Sequence, residues 1–136
     1  MVKKNINEVC KFLKEAGTYY LATADNDQPR VRPFGTATLF EGNIYMLTGK
    51  AKNVSKQFEA NPKFELSAMD QAGRWIRVSG KLVEDNRIEA QKALLEDYPN
   101  LRGMYTEGDA NTNAVYMDIE DATIYSFTDA PIVLND

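Results

Sequence analysis

The sequence predicts an α+β domain whose core is an antiparallel barrel of about six or seven short strands, with helices at its periphery. Three observations carry this expectation. Short segments of alternating character follow one another across tight turns, and successive hairpins make antiparallel neighbours. Helical periodicity interrupts these segments three times only. Finally, that many strands in a chain of 136 residues tend to close on themselves rather than leave long open edges.

The elements follow in order. Ile6, Val9, Cys10, Leu13 and Ala16 recur at helical spacing over residues 5–16, and Gly17 is a natural stop. Cys10 falls on that apolar stripe and reads as a small buried hydrophobe, since nothing near it in sequence would lower its pKa. Residues 19–24 read as a strand and DNDQP as the turn after it. Residues 30–40 and 43–48 form a pair of strands around the turn EGN. Pro33 and Gly35 interrupt the first of this pair; proline inside a strand implies an edge or a bulge, and glycine there marks close approach of another group.

A short helix over 52–60 is closed by Asn61-Pro62. Residues 64–69 and 75–84 alternate as strands across DQAG. Asn86, with Glu89 three residues on, has the spacing of a capping box, and it opens a helix carrying Ile88, Ala90, Leu94 and Leu95. YPNLRGMYTEGDANTN reads as loop with one helical turn, and 115–118 and 122–127 close the chain as strands. With no repeat, low-complexity segment or internal linker, residues 1–136 make a single domain.

Composition narrows the function classes. The content, 43% apolar and 26% charged, is that of an ordinary globular protein. No apolar run approaches the roughly 20 residues of a membrane span, and the start, MVKKNINEVCKFLKEAG, is too polar for a signal peptide. One cysteine makes no internal disulfide, so a reducing cytoplasm is the expected compartment. The chain has no histidine, which removes the commonest metal ligand and the commonest general base near neutral pH; no metal site is expected. A net charge of -4 argues against a nucleic-acid binder.

Against that acidic background, Arg30, Arg32, Lys50, Lys52 and Lys56 form a basic island, which suggests one specific anion. Arg30 and Arg32 lie two apart on a strand and share a face, with Val31 and Pro33 on the other. Guanidinium forks grip phosphate oxygens in pairs. Lys50 and Lys52 sit where the strand ending at Thr48 gives way to a helix. The first amides of that helix, near Asn53 and Val54, have no internal partner and lie at the positive end of its dipole. Thr48 adds a hydroxyl from the strand end. Alternate arginines also serve as halves of cross-strand ion pairs, and lysines at a helix start as solvated surface. Two lysines at a helix N-terminus nevertheless work against the dipole and want a reason.

The order of these pieces, PRVRPF, then IYMLTGKAKNV, ANPKFEL and RWIRVSGKLVED, with ATIYSFT at the end, resembles the pyridoxamine 5'-phosphate oxidase-like family of FMN-binding split barrels, near its small nitroimidazole-reductase-like members. The resemblance spans nearly the whole chain. It implies a homodimer with FMN in a groove between subunits. Arg30, Val31, Arg32, Pro33 and Phe34 would run along the ring and ribityl chain; Thr48, Lys50, Lys52 and Asn53 would hold the phosphate, with Gln57 as a further polar contact. Trp75 and Arg77 would reach the flavin from the partner subunit.

The implied activity is an oxidoreductase that passes nicotinamide-derived electrons to a small aromatic or nitro-type acceptor, the alternative being a flavin carrier, store or redox sensor without turnover. A deazaflavin is the alternative cofactor. The chain lacks the histidine associated with the nitroimidazole-reductase relatives, and its C-terminus, TDAPIVLND, has no counterpart of the arginine segment with which the true oxidases grip pyridoxal. Because a flavin carries its own redox chemistry, no catalytic residue is named. Phe34, Phe40, Trp75, Tyr105 and Tyr116 suit a pocket for a flat acceptor, and Tyr45, Tyr105 or water are the available proton donors.

Overall fold

The structure, a computed structural model, describes residues 5–135. Eight antiparallel strands form one sheet: β1 (Tyr19–Asp25), β2 (Gln28–Phe34), β3 (Thr38–Phe40), β4 (Asn43–Gly49), β5 (Lys63–Met69), β6 (Trp75–Asp85), β7 (Thr112–Tyr125) and β8 (Ile132–Val133). Their order is β2-β1-β5-β6-β7-β4-β3, with β8 added to β7. Three helices accompany them: α1 (Ile6–Ala16), α2 (Asn53–Ala60) and α3 (Ile88–Asp97). This is the predicted α+β class, with the antiparallel sheet of a split barrel.

Two clusters of apolar side chains hold the sheet in place, and β4 separates them. Ile44 and Met46 face the main core with Leu21, Leu66, Ile76, Val78, Met117 and the apolar stripe of α1. Tyr45 and Leu47, pointing the other way by strand alternation, pack under α3 against Ala90, Leu94, Leu95 and Tyr105. Helix α1 buries Ile6, Val9, Cys10 and Leu13 as its spacing predicts, with Phe12 beside them and Ala16 only partly covered. Gly17, at φ 81, ends it by returning its amide to the Leu13 carbonyl. Cys10 is buried, and that burial pushes its thiol pKa up, as befits an inert core residue.

Three sequence expectations change. The strand over 30–40 is two strands, with the chain leaving the sheet at 35–37 so that β3 can pair with β4 around a turn in which Glu41 and Gly42 both have positive φ. The pieces at 115–118 and 122–127 are replaced by one long strand, β7, which ends at Tyr125 and bulges where the register to β6 shifts between Ser79 and Gly80. The capping box at Asn86 does not form: Arg87 is the N-cap of α3, no side chain caps it, and the Asn86 Oδ1 accepts instead from Lys50 Nζ at 3.1 Å. Among the described residues no helix is long and apolar enough to cross a membrane.

Candidate cofactor-binding site

The basic residues meet at the edge of the sheet. Strand β2 has a single neighbour, β1, so one of its edges is open. Register pairs Arg32 with Leu21 and Arg30 with Thr23. Alternation therefore points both arginines to the side on which α2 lies, and Val31 and Pro33 to the opposite side. Between β2 and α2 opens a groove of about 700 Å³, lined by Arg30, Arg32, Lys52, Asn53, Lys56 and Gln57 among others. It continues past Arg32, Lys52 and Val54 into a second lobe of about 350 Å³ bounded by Pro33, Phe34, Gly35, Leu47 and the 98–105 segment. One end of the groove is thus cationic and the other apolar.

Arg32 is fixed before any ligand arrives. Its Nη1 donates to Thr23 Oγ1 at 2.8 Å and to the Leu21 carbonyl at 3.2 Å, and its Nη2 to Gln57 Oε1 at 2.7 Å. Thr23 Oγ1 in turn donates to Gln57 Oε1 at 2.7 Å. Among the described residues no carboxylate neutralises this guanidinium; partial burial draws its pKa below the usual arginine value, and at neutral pH it stays charged. The Gln57 oxygen is consumed by this network, while its amide nitrogen donates to no group among the described residues and the residue lines the groove. Arg30 is different: its Nε lies 3.3 Å from Asp25 Oδ2 at an exposed ion pair, which is weak.

Helix α2 contributes its N-terminus. The Ser55 and Lys56 amides return to the Lys52 carbonyl. Those of Asn53 and Val54 precede them and donate to no protein group among the described residues, and no acidic side chain lies in the first turn. Lys52, the N-cap, makes no side-chain cap bond. Arg32, Lys52, two free amides and the Gln57 amide are a donor-only set, and such a set fits a phosphate. The apolar lobe beside it fits a ring system. The residues present therefore fit FMN.

Not every expected site residue is here. Thr48 is fully buried; its hydroxyl sits beside Asn113 without a hydrogen-bond partner and lines neither lobe. Lys50 is turned to Asn86, away from the groove. Trp75 stacks on Tyr125 at 5.9 Å, and Arg77 pairs with Glu65 at 2.8 Å, both outside the groove of their own subunit. Of the aromatic residues, Phe34 and Tyr105 line the apolar lobe. Tyr45 donates to Asp85 at 2.7 Å under α3 and has no access to it. Sequence reasoning missed Thr36, Leu47, Tyr98, Asn100 and Leu101 as walls of that lobe. Only the long-range docking of the 98–105 segment brings them there, and no local pattern signals it.

Comparison with known proteins bears on this geometry. The family model for pyridoxamine 5'-phosphate oxidase matches residues 6–128. A NimC/NimA family protein from Clostridium acetobutylicum is 38% identical; the match covers 97% of this chain and 92% of that one, with a TM-score of 0.93. The general stress FMN/FAD binding protein of Xanthomonas citri shares the fold at 19% identity, covering 94% and 92%, with a TM-score of 0.74. A heme binding protein from Mycobacterium smegmatis shares it at 9% identity, covering 96% and 58%, with a TM-score of 0.76. No curated protein matches the chain.

Proposed function

We propose that this chain, which belongs to the pyridoxamine 5'-phosphate oxidase family, is an FMN-binding flavoprotein that acts as an oxidoreductase on a small aromatic or nitro-type acceptor. The observation that carries the reading is the uncompensated cationic end of the groove: Arg32, locked by Thr23 and Gln57, opposite Lys52 and the free amides of α2. Arg32, Lys52, Asn53 and Gln57 would hold the phosphate, with Arg30 at the mouth, and the backbone from Val31 to Phe34 would run beside the rest of the cofactor. FMN, when bound, supplies the hydride chemistry, so the protein's task is to position it and to exclude water. Fixing Arg32 in advance lowers the ordering cost of gripping an anion.

We also propose that the working form is a homodimer. Val31 and Pro33 face away from α2, on the side of the sheet that carries Tyr20, Met69 and Trp75. Tyr20 is 54% exposed, Met69 58% and the adjoining Phe127 89%. An apolar face of this kind on a lone subunit suits burial against a second copy. It borders the cationic groove across a single strand, β2, so a partner docked there could present its own Trp75 and Arg77 to the cofactor.

A second reading is a flavin carrier or sensor without turnover. It is favoured by the lining of the groove, whose one carboxylate, Asp25, is paired with Arg30. The absorption spectrum of freshly purified protein tests the cofactor. Oxidised flavin is expected, or, if the protein is isolated empty, a rise in Tm on adding FMN; absence of both overturns the assignment. Anaerobic mixing of the flavin-loaded protein with NADH or NADPH, then with an acceptor, separates an enzyme from a carrier.

A further inference from the structure

The first amides of α2 serve an anion only as well as the turn that delivers them is fixed. Between β4 and α2 that turn runs through Gly49, Lys50, Ala51 and Lys52. Backbone N–H groups are strong donors that either find an acceptor or stay on water. Here the Lys50 amide donates to the Asn111 carbonyl at 2.7 Å, and the Ala51 amide to the Asn111 side-chain Oδ1 at 3.0 Å. The Lys52 amide returns to the Gly49 carbonyl at 3.1 Å, which also accepts from Ser55 Oγ at 2.8 Å. Asn53 and Val54 thus carry the first amides after the turn that donate to no protein group among the described residues.

Asn111 can hold two consecutive amides because it is itself held. It immediately precedes β7, whose first residue, Thr112, pairs with Gly49. Its own amide donates to Asp109 Oδ1 at 2.9 Å, and the same oxygen receives the Thr112 amide at 2.6 Å. Its carboxamide lies against Gly49, where a Cβ would come within 2.9 Å of Nδ2 and 3.3 Å of Oδ1, so a larger residue at 49 would displace it. We infer that Asn111 is a positioning residue for the phosphate end of the groove. By clamping the turn it sets where Lys52 and the Asn53 and Val54 amides stand relative to Arg32, and a preset donor array lowers the ordering cost of gripping an anion. Asn111 lines neither lobe, so it acts through the turn and not by contact with the ligand. Arg32 has its own network with Thr23 and Gln57, and Asn111 bonds none of the residues walling the apolar lobe. Its effect is therefore on recognition of the phosphate and not of the ring. The inference rests on the flavin reading, since it takes a phosphate to occupy the cationic end.

The test titrates flavin-free protein with FMN and with riboflavin, which has the same ring and ribityl chain but no phosphate, and reads each Kd from flavin fluorescence. Wild-type protein is expected to bind FMN more tightly. Asn111→Ala removes the acceptor of the Ala51 amide and keeps the backbone bond to Lys50. It should weaken FMN about fivefold, as loss of one hydrogen bond implies, while leaving riboflavin affinity and the melting temperature of the empty protein unchanged. Asn111→Leu, which fills similar space against Gly49 without the acceptor, should give the same result and serves if the alanine variant does not fold. An unchanged FMN-to-riboflavin ratio in a folded variant overturns the inference. So does equal weakening of both ligands, or loss of the fold in both variants, either of which would make Asn111 a general structural residue. Wild-type protein that binds riboflavin as tightly as FMN, or binds neither, defeats the parent reading instead and shows itself before any substitution is made.

Discussion

At the scale of single residues, charges and glycines each carry a prediction. Arg30 and Arg32 look equivalent in sequence, yet Arg32 is locked to Thr23 and Gln57 whereas Arg30 is held only by an exposed pair to Asp25. Arg32→Ala should therefore cost much more flavin affinity than Arg30→Ala, read as Kd by fluorescence titration; equal losses would refute the ranking. Lys52 is exposed and makes no side-chain bond among the described residues, so Lys52→Glu should preserve the fold and abolish FMN retention by placing repulsion at the phosphate. Unchanged flavin content after purification would count against the site.

Two glycines that look alike in sequence differ in structure. At Gly80 a Cβ would lie 2.0 Å from the Asp118 carbonyl oxygen, inside the β6–β7 bulge, and Gly80→Ala should destabilise by about 2–3 kcal/mol in denaturant unfolding. At Gly35 a Cβ would meet only the Gly17 carbonyl oxygen, at an ordinary 3.6 Å. The protein itself leaves room there. Gly35→Ala should keep the melting temperature and weaken FMN if the cofactor passes close to that backbone. Thr48 shows the limit of residue-scale reading: its place in sequence suggests a donor at the strand end, but alternation turns its side chain into the interior.

At the scale of elements, periodicity located every helix and most strands, because burying an apolar stripe is a local requirement that tertiary packing here respects. It failed where two local signals competed. The 30–40 segment has strand character throughout, but β3 must leave β2 to pair with β4, so the chain crosses from one edge of the sheet to the other at 35–37. Asn86 and Glu89 have capping-box spacing, yet Arg87 takes the cap position, with its guanidinium bridging Asp85 and Glu41 and the Asn86 oxygen taken by Lys50.

That junction between β6 and α3 makes a pH prediction. The Arg87 guanidinium, helped by the Tyr45 hydroxyl, holds the Asp85 carboxyl down at about 2, below its ordinary 3.8. A carboxylate whose pKa is depressed by folding stabilises the native state above the unfolded value and loses that contribution as pH falls through the folded one. Stability should decline between about pH 4 and pH 2, and Asp85→Asn should flatten the decline. An identical acid profile for the variant would show that the junction contributes nothing.

At the scale of the whole molecule, the fold class was legible and the lobe around Tyr105 was not, because its walls come from strands β2 and β4 and from a segment some fifty residues further on. The face proposed as the subunit interface lies between these cases. Its residues are ordinary strand apolar residues in sequence, and only the sheet order reveals that Tyr20, Met69 and Trp75 share one uncovered face. Burying that face is expected to contribute roughly 25 cal/mol per Å² of apolar area, less the cost of association. A charge at its centre would have to be desolvated on dimerisation.

Met69→Asp should therefore shift sedimentation from dimer to monomer, with little loss of subunit stability because the side chain is already exposed in the single subunit. If the partner completes the cofactor site, the monomeric variant should also bind FMN more weakly, and raising the protein concentration should restore both together. A Met69→Asp monomer that retains wild-type FMN affinity would confine the site to one subunit and remove Trp75 and Arg77 from it.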